Sequence, residues 1–232
     1  MGSNFRYYHR LKTGLLTVLL FCAYFSIAQS TENVFTFKPV IGINACQIHG
    51  DNAAGYNKFG VNGGIVVNSR LNKKTSIDLG IVFTQKGARR NQDPENNDYT
   101  FFRVNLNYIE MPVLLNYKVN SAYFITLGPS LAYLVNYTED TERGNWNGVY
   151  PFEKFEYGIN VGLGRKIKGN WLIEIRSSNS FLPIRSYGIA ANGVYFPNAV
   201  ARFFNKGLYN NVLSAYMIYQ INPKKKSETI NP

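Results

Sequence analysis

Cysteine and histidine are nearly missing from the chain: two of each in 232 residues, and one of each lies within the first 28. Cys46 and His49 are what remains. One cysteine cannot close an internal disulfide, and one Cys with one His leaves too few ligands for a zinc centre. Charge is also scarce, at 17% against about 25% in soluble domains. Acids are the scarcer sign, 14 against 25 Lys and Arg. After the first 28 residues no apolar run approaches the roughly 20 residues of a membrane helix. Any crossing of a membrane must therefore use strands. In place of these, the chain carries 28 Asn, 20 Gly, 17 Tyr and 16 Phe. Asn is a turn former and a poor helix interior residue, whereas aromatics favour strands. The mixture excludes a helical bundle, a coiled coil and a disordered chain.

The first 28 residues read as a leader. Arg6, His9, Arg10 and Lys12 make a basic start with no acid nearby, and Gly14 to Ile27 is an apolar run. That run has signal-peptide length, which favours a cleaved leader over an N-terminal anchor. Ser26-Ile27-Ala28 places small residues at minus three and minus one, so cleavage is expected between Ala28 and Gln29. Cys22 does not fit a lipid-attachment site, because Phe21 stands where a small residue is needed. The expected organisation is a signal peptide at 1–28 and one domain at 29–232. Its strands lie within about 35–222, and a short basic tail fills 223–232. The mature chain carries 22 basic and 14 acidic residues, a net +8.

Eight segments of the mature chain alternate with period two, the signature of half-buried strands. They begin at Phe35, Phe59, Ile77, Ile109, Tyr123, Phe155, Trp171 and Val212. The third is the cleanest: Ile77, Leu79, Ile81 and Phe83 alternate with Asp78, Gly80, Val82 and Thr84. On every strand one face is apolar and uncharged, with aromatics such as Phe35, Tyr117, Tyr123, Trp171 and Tyr219 near its ends. The other face is mostly Gly, Ala, Ser, Thr and Asn. A water-soluble barrel would show Lys and Glu on its second face. Small polar residues fit instead the narrow interior of an eight-stranded barrel whose apolar face meets lipid. Connections near Asn72, Asn120 and Gly169-Asn170 are short and the others long, in strict alternation. That is the pattern of periplasmic turns and external loops. The predicted fold is all-β: an eight-stranded antiparallel up-and-down transmembrane barrel.

Several segments are similar to the outer-membrane β-barrel family of Bacteroidetes, the PorT-like or porin-family barrels. Asn107-Tyr108-Ile109-Glu110-Met111-Pro112-Val113-Leu114-Leu115 resembles that family's Tyr-Leu-Glu-Ile-Pro-Leu-Leu-Leu stretch. Phe83-Thr84-Gln85-Lys86-Gly87 resembles its Tyr-Ser-x-Lys-Gly strand end. Ile41-Gly42-Ile43-Asn44 resembles its opening Gly-x-Asn, and Gly128-Pro129-Ser130 its Gly-Pro strand. The last strand departs from the pattern, ending in Tyr219-Gln220-Ile221-Asn222 rather than on an aromatic. The resemblance implies a barrel in the outer membrane and leaves activity open, since the fold hosts structural, binding and enzymatic members.

The residues themselves offer one site and several weak ones. Lys38, Asp78, Glu110, Glu156, Glu174 and Arg176 share the inward face, and the cost of an isolated buried ion predicts a structural network of paired charges. Glu110 is expected to meet Arg176 or Lys38, with Lys118 or Lys166 filling the deficit of cations. His49 is the sole candidate general base of the mature chain, yet no serine is set beside it by spacing. No catalytic residue, cofactor or metal is therefore assigned. The expected function is a non-enzymatic outer-membrane barrel with a structural or ligand- or partner-binding role through its external loops. A lipid-modifying enzyme using His49 and an accessory of a protein-secretion machine are the alternatives. Expected partners are outer-membrane lipid, an unnamed protein, and lipopolysaccharide, whose phosphates suit Arg89, Arg90, Arg202 and Lys206. Nucleic acid is excluded by the compartment.

Overall fold

Alternation carried through every segment closes the chain on itself. The computed structural model describes residues 35–51, 55–186 and 207–221, and the expected leader lies outside them. Eight long strands follow in order. They are β1 (Phe35–His49), β2 (Lys58–Arg70), β3 (Thr75–Arg90), β4 (Phe102–Lys118), β5 (Tyr123–Thr141), β6 (Phe155–Lys166), β7 (Trp171–Ser180) and β8 (Gly207–Tyr219). Each pairs antiparallel with its neighbour in sequence, and β1 pairs with β8 from Val40↔Ile218 to His49↔Tyr209. Closure leaves no edge strand to be satisfied by lipid, which has no hydrogen bonds to give. Two-residue strand pieces at Gly144–Asn145 and Arg185–Ser186 extend the long-loop end.

The inside–outside assignment agrees with the sequence reading. Ile41, Ile43, Ile65, Ile81, Leu127, Val161 and Ile175 are exposed, while Lys38, Asn62, Asp78, Glu110, Asn160 and Glu174 are buried. Short turns join β2 to β3, β4 to β5 and β6 to β7. In two of them the side-chain oxygen of Asn72 or Asn120 accepts backbone N–H groups two and three residues on, an Asx turn that explains the Asn there. The remaining connections are long and share the opposite end.

Aromatics mark both rims of the apolar surface. At the short-turn end Trp171 and Tyr219 meet edge to face with centroids 4.8 Å apart. Toward the other end Tyr133 packs on Phe155 at 5.5 Å, and Tyr157 on Phe181 at 6.2 Å. Ten residues separate Tyr123 from Tyr133 on β5. At about 3.4 Å each and a tilt of about 40–45°, they span about 25 Å, the height of the apolar band of such barrels. Beyond that band the outward residues turn polar. Asn105 donates to Thr138 at 2.8 Å and Asn107 to Asn136 at 2.6 Å across β4 and β5.

One irregularity redirects side chains. The β4–β5 register slips by one residue between Tyr108↔Leu134 and Asn107↔Asn136, so Val135 is the extra residue of a β-bulge. Below the bulge, even-numbered residues of β5 point inward; above it Tyr137 and Glu139 do.

Candidate functional site in the charged lumen

The inward residues of β4, read from the short-turn end upward, form a ruler for the lumen: Asn116, Leu114, Pro112, Glu110, Tyr108, Leu106 and Val104. Low down, the Lys38 ammonium donates to both carboxylate oxygens of Asp78 at 3.0 Å, and Asn68 donates to the same carboxylate. Val40, Val66, Val82, Leu172 and Ile218 pack beside this pair as an apolar layer. Next, the Arg176 guanidinium grips Glu174 with two near-parallel bonds of 2.9 and 3.0 Å, the fork geometry that suits arginine. Its other face lies 4.5 Å from the centroid of Tyr216.

At the level of Glu110 the lumen is held by Lys86. Its ammonium donates to Glu156 at 2.9 Å and stands 3.0 Å from Glu110. Asn210 donates to the second oxygen of Glu156 at 2.7 Å. The Lys86 side chain is only 2% exposed, so its charge exists there because two carboxylates neutralise it. A neutral knot lies alongside: Asn44 donates to Thr84, while Asn62 and Ser214 donate to Asn44. Ile48, Ala88, Val104, Leu106, Ala132, Leu134, Phe152, Ile184 and Leu208 then fill the upper lumen as an apolar core. Over it, Arg185 grips Glu139 at 2.9 and 2.6 Å and stacks 3.6 Å from the Phe152 ring.

All six residues expected in the lumen are therefore buried there, but they do not form one network. Lys38 is held by Asp78 and Arg176 by Glu174, so neither is the partner of Glu110. That partner is Lys86, and Lys118 and Lys166 do not fill the deficit: both are exposed at the short-turn mouth. Lys86 was legible in principle. It continues the inward series Asp78, Gly80, Val82 and Thr84 by one further step. The Glu139–Arg185 pair was not legible, because the bulge at Val135 reverses the alternation that would have placed Glu139 outside.

The remaining candidates stand apart. His49 ends β1, exposed and opposite Tyr209, and among the described residues no side-chain hydrogen bond reaches it. Cys46 is buried and free, its thiol 3.6 Å from the Gln85 carbonyl. No group of three or more His, Cys, Asp or Glu suited to a metal occurs among the described residues. Arg89 donates to Asn91, and Arg90 pairs with Asp98, while Arg202 and Lys206 lie outside the described residues. A cavity of about 360 Å³ opens at the short-turn end, below Lys38.

Comparison with known proteins places this architecture. No curated protein matches the chain. Among solved structures, it is similar to Ail, the attachment invasion locus protein of Yersinia pestis, at 10% identity over 81% of this chain and 99% of that one, with a TM-score of 0.45. It is also similar to Neisserial surface protein A, at 13% identity over 82% and 99%, TM-score 0.44. The outer membrane protein AlkL matches at 11% identity over 86% and 96%, TM-score 0.42. The model of the outer membrane protein beta-barrel domain matches residues 27–185, more than half the chain and seven of its eight strands outright. This protein belongs to that family and is a protein of the outer membrane.

Proposed function

We propose that the protein is a sealed, non-enzymatic barrel whose lumen ion pairs are structural and whose contacts are made at its long-loop end. The observation that carries this reading is Lys86, enclosed by Glu110 and Glu156 and roofed by the apolar core around Val104 and Leu106. A path for water or ions would have to break those pairs and cross that core. Eight strands enclose only enough space for side chains, and here the side chains use it. Reconstitution of pure protein into planar bilayers tests the idea. No steady conductance is expected, and large, stable currents would overturn it.

Among the described residues no acid or nucleophile is hydrogen-bonded to His49 as base catalysis requires, which favours a binding or structural role over a lipid-modifying enzyme. The outer parts of β3, β4 and β5 stand above the apolar band with polar outward side chains, and they suit contact with a partner protein or with lipopolysaccharide phosphates near Arg89. Within the family we assign the chain to the PorT-like barrels of Bacteroidetes, on its Asn107–Leu115 stretch. A secretion accessory is the competing role, and secretion components co-purifying in mild detergent would favour it.

A further inference from the structure

The lumen follows a rule that its lower mouth breaks. Among the described residues, each of the three cations buried in the lumen holds a carboxylate, Lys38 with Asp78, Lys86 with Glu110 and Glu156, and Arg176 with Glu174, and half-buried Arg185 above them holds Glu139. At the short-turn mouth, Arg70, Lys118 and Lys166 occupy the lumen-facing positions at the ends of β2, β4 and β6, and Lys74 joins them from the turn after β2. None of the eighteen described residues lining that cavity is acidic. None of these four cations has a carboxylate partner among the described residues.

Their placement is not explained by the headgroups of the surrounding bilayer. Strand alternation sends Tyr117, Tyr123, Trp171 and Tyr219 toward lipid at this level and Arg70, Lys118 and Lys166 toward the barrel axis, while Lys74 lines the mouth from its turn. Backbone pairing fixes the convergence: the Lys118 amide donates to the Lys74 carbonyl at 2.8 Å, and the Lys166 amide to Ala122 at 2.8 Å. Four like charges gathered on one concave surface repel one another and concentrate counter-ions. The single acid nearby among the described residues, Asp78, is already occupied by Lys38 and Asn68. The volume, about 360 Å³, falls within the roughly 300–1,000 Å³ of small-molecule sites.

We infer that the short-turn mouth is a binding site for a phosphate-bearing anion, held by Arg70, Lys74, Lys118 and Lys166 from the periplasmic side. The phosphate belongs either to a soluble molecule or to a lipid head drawn into the mouth, and one experiment separates these sources. Full-length processed protein is folded into phosphatidylcholine nanodiscs, and lysine acylation by a water-soluble reagent is read by mass spectrometry with and without tripolyphosphate. The same is done in phosphatidylglycerol nanodiscs without it. Lys118 and Lys166 should be protected at least five-fold, while Lys58 and Lys154 at the other end are not. Protection by tripolyphosphate alone assigns a soluble anion, and protection in phosphatidylglycerol alone assigns a lipid head. Calorimetric titration with tripolyphosphate at 0.15 M salt should show its affinity cut at least ten-fold in Lys118→Gln/Lys166→Gln. For a lipid head, phosphatidylglycerol should lose its protection of Lys74 in the same variant. The charge-matched Arg143→Gln/Lys154→Gln should behave as the parent, and heat-shifted gel migration checks that both variants fold. Equal protection at all four lysines, or protection in neither setting, would overturn the site. Protection appearing only after Glu32→Gln or Glu228→Gln would equally overturn it, making an acid of the chain itself the occupant.

Discussion

Lys86 touches two carboxylates, and the barrel wall keeps all three groups from water. Removing an acid and removing the base are therefore unequal acts. Glu110→Ala leaves Lys86 with Glu156, still paired. Lys86→Ala leaves Glu110 and Glu156 both buried without a cation, at a cost of about 3–5 kcal/mol by analogy with broken buried pairs. Glu110→Gln keeps shape and some hydrogen bonding, and should be the mildest of the three. The temperature at which the compact, fast-migrating gel band converts to the unfolded one orders them. The expected order is Glu110→Gln above Glu110→Ala above Lys86→Ala, and a Glu110→Ala as damaging as Lys86→Ala would show that Lys86 is not shared. At this scale the sequence was readable by parity for Lys38, Asp78, Glu110, Glu156, Glu174 and Arg176. It was not readable for who meets whom, because partners come from strands whose relative stagger no single segment records.

A strand's own pattern reports its faces but not its faults. The bulge at Val135 leaves no mark in composition, since Tyr133, Leu134, Val135 and Tyr137 all suit a β-strand, yet it decides that Glu139 turns inward to Arg185. Gly87 is a second local demand. Its φ of 137° favours glycine, and an added Cβ would lie 2.0 Å from the Val104 carbonyl oxygen. Gly87→Ala should cost about 1–3 kcal/mol through backbone strain, read as a lower conversion temperature with unchanged folding yield at room temperature. An unaltered temperature would mean that the β3–β4 pairing relaxes freely there. The loop from Asn91 to Phe101 supplies a pH-dependent element. Hydrogen bonds from Thr100, and then Arg90, hold the Asp98 carboxyl down to about 2 from an ordinary 3.8. A depressed carboxyl stabilises its loop above the ordinary value and loses that effect as pH falls through the lower one. Carboxyl NMR should place the Asp98 midpoint near 2, and a midpoint near 4 would dissolve the loop's claimed order.

The whole molecule was legible where one physical rule acts on every strand at once. Lipid outside and a narrow lumen inside impose the same alternation eight times, and short turns alternate with long loops around the ring. What the sequence left hidden lies where that rule ends, above the apolar band, where β3 to β5 continue with polar outward residues. The boundary itself can be tested with one substitution at two heights on one strand. Leu127 is 49% exposed and sits near the middle of the span from Tyr123 to Tyr133, where the bilayer midplane should fall. Thr138 points outward on the same strand above the upper aromatics and donor Asn105 meets it there. An arginine at the midplane of such a barrel costs about 2–4 kcal/mol, against about 0–1 kcal/mol near the interface. Leu127→Arg should therefore lower stability in denaturant titrations of the protein folded into liposomes, while Thr138→Arg should leave it nearly unchanged. The contrast also separates lipid contact from packing: in a water-exposed barrel, replacing either outward side chain would be mild. Equal effects at the two heights would mean that the aromatic rows do not bound the membrane, and that the apolar band lies elsewhere on the wall.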